Sequence, residues 1–168
     1  LLSYNILHGS IIHICANTFT QFLFVLPMEE SWGIWKFLIM YVSTGIVGGL
    51  FSGIQKSSIS VGASCSILGI MGGFSILIII YWTRLTSHQR LLYLFWLMMT
   101  PFEFVATSFL PHVDWLGHLG GFLSGLAVAA IVFHGSASTL KTKRLFLIGG
   151  IIGLIICVLA PLLIIYLQ

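Results

Sequence analysis

The sequence predicts an all-α, polytopic membrane helical bundle that forms a single domain over residues 1–168. Composition is the first reason: 58% of the residues are hydrophobic and only 7% are charged, whereas soluble domains carry about 25% charged residues. The second reason is that polar clusters divide the chain into stretches of the roughly 20 residues that a helix needs to cross a bilayer. So few charges exclude a water-soluble enzyme and a nucleic-acid-binding protein.

Clusters of polar residues mark the ends of six predicted membrane-spanning helices, which cover about 8–27, 35–54, 61–83, 91–110, 114–134 and 145–167. The first of these is the least apolar, because His8, His13, Asn17 and Gln21 lie inside it. Its assignment to the membrane therefore depends on the spans that follow, and its polar residues require an explanation.

Basic residues indicate the orientation of the six spans. Only Lys56 falls on one side of the membrane, and six basic residues fall on the other: Lys36, Arg84, Arg90, Lys141, Lys143 and Arg144. An excess of Lys and Arg marks the cytoplasmic side, so the chain is expected to begin on the outer side. The first, third and fifth spans then run from outside to inside.

Small residues recur every four positions in three of the spans. The sets are Gly45, Gly49 and Gly53; Cys65, Gly69 and Gly73; and Gly117, Gly121, Gly125 and Ala129. Four residues make about one helical turn, so each set forms a groove that lets another helix approach closely. These grooves predict that the third and fifth spans are neighbours.

Four polar side chains are expected at a similar depth below the outer surface. His13 and Asn17 are four residues apart and share a face of the first span, while Ser64 and His118 lie near the starts of the third and fifth spans. These three spans run in the same direction, so similar distances from their outer ends bring the groups to one level. Polar groups inside a membrane are costly, and each is therefore a candidate functional residue.

A hydroxyl, two imidazoles and a carboxamide at one level are suited to acyl transfer. We assign Ser64 as the nucleophile and His118 as its general base. Asp114 lies one turn nearer the surface and Glu103 belongs to a different span, so we expect a Ser-His dyad rather than a triad.

Neutral donors near the serine are candidates for an oxyanion site. Gly62 allows close approach of the backbone, and N–H groups at the start of the third helix are available to donate there. His13 and Asn17 would complete the site.

Other interpretations of these residues are open. A single serine in a membrane helix is more often a packing residue bonded to its own helix. A small transporter with His13 and His118 as a proton relay is a rival interpretation. Cys15, Cys65 and Cys157 lack metal-ligand spacing, and we expect neither a metal nor a cofactor.

Three segments resemble the signatures of the rhomboid intramembrane serine proteases. Residues 8–17, HGSIIHICAN, are similar to the family's HxxxxHxxxN motif, and residues 62–65, GASC, to its GxSx motif. Residues 118–125, HLGGFLSG, are similar to the histidine-and-glycine motif of the sixth core helix. The three segments occur in the family's order, on spans that run in the same direction.

The resemblance implies a role for each matching residue: Ser64 and His118 as the catalytic dyad, His13 and Asn17 at the oxyanion site, His8 in structuring a loop, and Gly121 and Gly125 in helix packing. It also implies that residues 8–134 hold the second to sixth core helices. The first core helix would then precede Leu1, making the chain N-terminally truncated. The span at 145–167 resembles the extra helix of the six-plus-one arrangement common among eukaryotic members.

Two positions depart from the family pattern, and two others have open roles. Cys65 stands where glycine is usual, and Leu68 stands where many members have an aromatic ring beneath the catalytic histidine. Glu103 lies on the helix that borders the substrate entry side in the family, where it is either a gating residue or a structural carboxyl. The stretch 109–114 resembles the mobile cap loop, with His112 as a solvent-facing residue.

The sequence therefore predicts an intramembrane serine endopeptidase that cleaves single-span membrane proteins near the outer ends of their transmembrane segments. The protein would lie in the plasma membrane or an endomembrane, with its site facing the outer or luminal side. The lipid bilayer is its other expected partner, nucleic acid is not one, and the oligomeric state is open. The alternative is a catalytically silent rhomboid-like protein that binds membrane clients and acts in their trafficking or degradation.

Overall fold

The structure, a computed structural model, describes residues 7–8, 10–55, 62–108 and 114–168, with the side chains of 99–108 excepted. Helices dominate these residues, and no strand occurs among them. The six long helices are α1 (Ile11–Trp32), α2 (Ile34–Ser52), α3 (Ser64–Tyr81), α4 (Ser87–Ser108), α5 (Trp115–Phe133) and α6 (Leu140–Leu167). The predicted all-α membrane bundle is confirmed.

Five of the described helices are long and apolar enough to cross a membrane: α1, α2, α6, and α3 and α5 with the short turns that follow them. The remaining helix, α4, has 22 residues and covers most of the fourth predicted span. Each of the six predicted spans thus corresponds to one helix, with boundaries that differ by a few residues.

The largest boundary differences occur in α1 and α6, and both have a local cause. A π-helical turn at Gln21–Val25 precedes Pro27, which then lies in the first turn of the next α-helical segment, where its missing N–H costs least. The helix therefore continues past the proline to Trp32. In α6, a capping box between Thr139 and Thr142 starts the helix before its cluster of basic residues rather than after it.

Helix α5 is the centre of the bundle and packs against α2, α3 and α6. Its closest approach is to α3, as the small-residue grooves predict. A Cβ on Gly121 would collide with the carbonyl oxygen of Cys65, and a Cβ on Gly125 would collide with that of Gly69. The two helix backbones are therefore in direct contact where α3 and α5 begin, and this contact positions the side chains of their first turns.

Candidate active site

The hydroxyl of Ser64 and the imidazole of His118 form a hydrogen bond across 54 positions of the sequence, with Oγ and Nε2 2.6 Å apart. Ser64 is the first residue of α3, and His118 is the fourth residue of α5. The histidine is buried, with 4% of its surface exposed. When Nε2 carries no proton it accepts this hydrogen bond from the serine, which is the arrangement that general-base activation of a hydroxyl requires.

The turn before α3 places the serine at the end of its helix. Gly62 has φ +119°, in a region that favours glycine, and Ala63 is the N-cap residue. The N–H groups in the first turn of any helix have no acceptor inside that helix. Backbone N–H groups beside Ser64 are therefore available to donate hydrogen bonds outside the helix.

His13 and Asn17 of α1 pack against the same turn. A Cβ on Gly62 would lie 2.7 Å from Cε1 of His13 and 3.0 Å from Nδ2 of Asn17, so only a glycine fits between them. Asn17 is 7% exposed, and within the described part of the chain its Nδ2 has no hydrogen-bond partner. The structure thus brings residues of the three predicted motifs together at one end of the bundle and leaves a buried amide donor beside them.

His8 lies three residues before the start of α1 and contacts this group through His13. The two imidazole rings meet edge to face, with centroids 5.3 Å apart. Ser10 is the N-cap of α1, and its Oγ accepts a hydrogen bond from the N–H of His13 at 3.1 Å. Sequence reasoning did not single out Ser10, although a serine just before an apolar run is a recognisable start signal for a helix.

Asp114 caps the start of α5, and its Oδ1 accepts a hydrogen bond from the N–H of Gly117 at 2.9 Å. In its favourable orientation, the Gln55 amide donates to the same oxygen at 3.1 Å and accepts from the Trp115 indole at 3.1 Å. These contacts connect the end of α2 to the start of α5, one turn from His118. Sequence reasoning missed Gln55, and nothing in its local pattern identifies this role.

The two departures from the family pattern are both buried in the helix interface. Cys65 fills space that a second glycine provides, since a Cβ on Gly48 would lie 2.6 Å from the Cβ of Cys65. Leu68 is 3% exposed and belongs to the apolar core. The larger residue after the serine is therefore accommodated by a smaller residue on α2.

Several residues named from the sequence cannot be placed in this site. The side chain of Glu103 is outside the described part of α4, and His112 and Lys56 lie outside the described residues. The hypotheses about a gating carboxyl and a cap loop remain predictions.

Known proteins resemble this chain over most of its length. A family model described as the Rhomboid domain matches residues 1–135. Rhomboid-like protease 3 of Toxoplasma gondii is 36% identical over 123 residues, which are 73% of this chain and 47% of that protein. RHOMBOID-like protein 4 of Arabidopsis thaliana is 31% identical over 133 residues, 79% of this chain and 33% of that protein.

A third relative, RHOMBOID-like protein 6, mitochondrial, of Arabidopsis thaliana, is 33% identical over 129 residues, 75% of this chain and 41% of that protein. The chain therefore spans between a third and a half of the length of the curated relatives described above. No solved structure matches it at a significant level.

Proposed function

The chain belongs to the rhomboid family, and from that premise we propose that this multi-pass membrane protein is a serine endopeptidase that cleaves transmembrane segments of other membrane proteins. The observation that carries the proposal is the 2.6 Å hydrogen bond between Ser64 and His118. A serine next to a buried imidazole, with unpaired donors close by, is the arrangement that acyl transfer uses.

In the proposed reaction, Oγ of Ser64 attacks the scissile carbonyl carbon while Nε2 of His118 takes the hydroxyl proton. The carbonyl oxygen becomes an oxyanion that accepts hydrogen bonds from Asn17 and the α3 N-terminus, with His13 as a further donor. Protonated His118 then gives its proton to the leaving amine as the peptide bond breaks. A water molecule, deprotonated by His118, cleaves the acyl-enzyme and restores the serine.

The site lies at the ends of α3 and α5 where these helices begin. The asymmetry of basic residues supports placing this end on the outer or luminal side of a plasma membrane or endomembrane. Water would reach Ser64 from that side. Single-span membrane proteins are the proposed substrates, cut near the corresponding ends of their transmembrane segments.

A covalent probe tests the nucleophile without a known substrate. A fluorophosphonate should form an Oγ–P bond at Ser64 with loss of fluoride, while His118 takes the hydroxyl proton. Peptide mass analysis of the labelled protein should place the adduct on Ser64. Ser66 is an internal control, because it lies two residues further along α3 and is fully buried. Labelling of both serines, or of neither in the folded protein, would contradict the proposal and favour the client-binding alternative.

Asn17→Ala is expected to lower kcat by 10²–10³-fold, since removal of one oxyanion donor typically costs that much, while KM changes little. Initial rates over a range of substrate concentrations separate the two effects. Thr18→Ala is the matched control, because Thr18 is the next residue of α1 and is exposed. A rise in KM at unchanged kcat would instead assign Asn17 to substrate binding.

Substrates whose transmembrane helix contains glycine near the cleavage site should be cut faster than a poly-Leu helix. The scissile carbonyl must leave its helical hydrogen bond before it meets Ser64, and glycine lowers helix stability by about 1 kcal/mol relative to alanine. Cleavage of matched Gly-Ala and poly-Leu segments in liposomes measures the difference. Equal rates across several substrate pairs would show that local unwinding does not limit the reaction.

A further inference from the structure

A cavity of about 640 Å³ lies between α1, α3 and α4, at the end of the bundle opposite the candidate active site. We call it the distal cavity. Along α3 and the short turn that follows it, the lining extends from Ile70 to Arg84, whereas Ser64 begins that helix. At 1.5 Å per residue, the lining of α3 begins about 9 Å along the helix axis from Ser64, at Ile70, and extends to about 25 Å at Tyr81. Neither Ser64 nor His118 lines the cavity, so this space is separate from the dyad. Its volume is within the usual range of small-molecule sites.

The walls of the distal cavity are mostly apolar and rich in aromatic rings. They include Leu23 and Phe24, which lie in the π-helical turn of α1. Phe24 meets Trp96 of α4 edge to face, with ring centroids 4.6 Å apart. Such walls are chemically matched to a hydrocarbon chain.

Two cations line the distal cavity at the end furthest from the dyad, and both are exposed. Nζ of Lys36 lies 5.2 Å from the ring centroid of Phe133, and Cζ of Arg84 lies 5.6 Å from that of Tyr81. Neither cation has a carboxylate partner among the residues that the structure describes. The acidic pair at this end of α1, Glu29 and Glu30, does not line the cavity.

We propose that the distal cavity binds an anionic phospholipid, with its phosphate at the end of the cavity that Lys36 and Arg84 line and an acyl chain along the apolar walls. Basic pockets between transmembrane helices on the cytoplasmic side are typical sites for anionic headgroups. The two cations complement the negative charge of a phosphate. An apolar substrate helix has no such charge and would not need them. Lipid binding at the distal cavity does not require the proposed proteolytic activity, because the lipid would lie in the leaflet opposite the Ser64–His118 dyad.

Native mass spectrometry tests this site on protein released from membranes that contain equal amounts of phosphatidylglycerol and phosphatidylcholine. The unmodified protein should retain one phosphatidylglycerol molecule in preference to phosphatidylcholine. The double variant Lys36→Gln/Arg84→Gln should bind it about thirtyfold more weakly, from the usual contribution of two basic groups beside anionic lipid. Equal retention of both lipids by the unmodified protein would overturn the proposal.

Two sets of control variants show whether lipid retention depends on the cavity itself. One tests the loss of positive charge elsewhere at this end, and the other tests the addition of a large side chain. Lys141→Gln/Arg144→Gln removes the same charge from exposed positions on α6 at the same end, and should leave retention unchanged. Leu23→Trp should lower retention by filling the cavity, whereas Leu26→Trp, on the same helix but outside the lining, should not. The proposal would be contradicted if Lys141→Gln/Arg144→Gln lowered lipid retention as much as Lys36→Gln/Arg84→Gln does, or if Leu26→Trp lowered it as much as Leu23→Trp does. Displacement of the lipid by an added single-span substrate would instead assign the cavity to protein.

Discussion

Replacing Ser64 with alanine is expected to lower the rate of substrate cleavage by at least about 10⁴-fold while the protein stays folded. Without the hydroxyl no acyl-enzyme forms, and the buried imidazole of His118 has nothing to activate. The hydrogen bond between the two side chains contributes only about 0.5–1.5 kcal/mol to the free energy of unfolding. Activity and stability should therefore separate clearly.

The measurement uses the protein in liposomes with a tagged single-span substrate, and fragment masses locate the cut. His118→Ala should be as inactive as Ser64→Ala, and the double variant no worse than either, because residues that act as a unit are not additive. Ser66→Ala is the matched control and should retain the rate, since that hydroxyl is buried two residues further along α3. Residual cleavage by a folded Ser64→Ala protein at the same site would show that another group is the nucleophile.

The juxtaposition of the motifs could be predicted because depth in a membrane is set by helical rise. Ser64, His118 and Asn17 lie within the first two turns of three helices that run in the same direction, so counting residues places them near the same end of the bundle. Which helices are neighbours was also predictable, because the glycines of α5 permit contact with another helix backbone. The 2.6 Å distance between the serine and histidine was not predictable, since it depends on how those helices rotate about their axes.

Features that depend on contacts between distant segments left no sequence signal. The Gln55 amide reaches Asp114 only because α2 and α5 end and begin at the same level, and an isolated glutamine does not reveal this. The continuation of α1 past Pro27 also left no signal, because a proline alone does not show that a preceding π turn will accommodate it. The distal cavity arises from the separation of α1, α3 and α4, a tertiary property.

Gly121→Ala is expected to reduce both the free energy of unfolding and the rate. The added Cβ would collide with the carbonyl oxygen of Cys65, and a helix backbone cannot rotate away as a side chain can. Overpacking of this kind typically costs 1–3 kcal/mol, which thermal or denaturant unfolding in detergent would measure. Because Cys65 follows Ser64 directly, displacement of α3 from α5 should also lengthen the distance between the serine and His118. A misplacement of about 1 Å can lower a rate 100-fold.

Two other glycines distinguish this mechanism from a general loss of stability. Gly125→Ala introduces a similar collision with the Gly69 carbonyl one turn further from the dyad, so it should destabilise the protein as much but lower kcat less. Gly149 is exposed on α6 with nothing within 4 Å of its added Cβ, so Gly149→Ala should leave kcat unchanged and should not destabilise the protein, since alanine favours the helix by up to about 1 kcal/mol. If Gly121→Ala and Gly125→Ala lowered kcat equally at equal stability, the contact at Gly121 would have no special part in positioning Ser64 against His118.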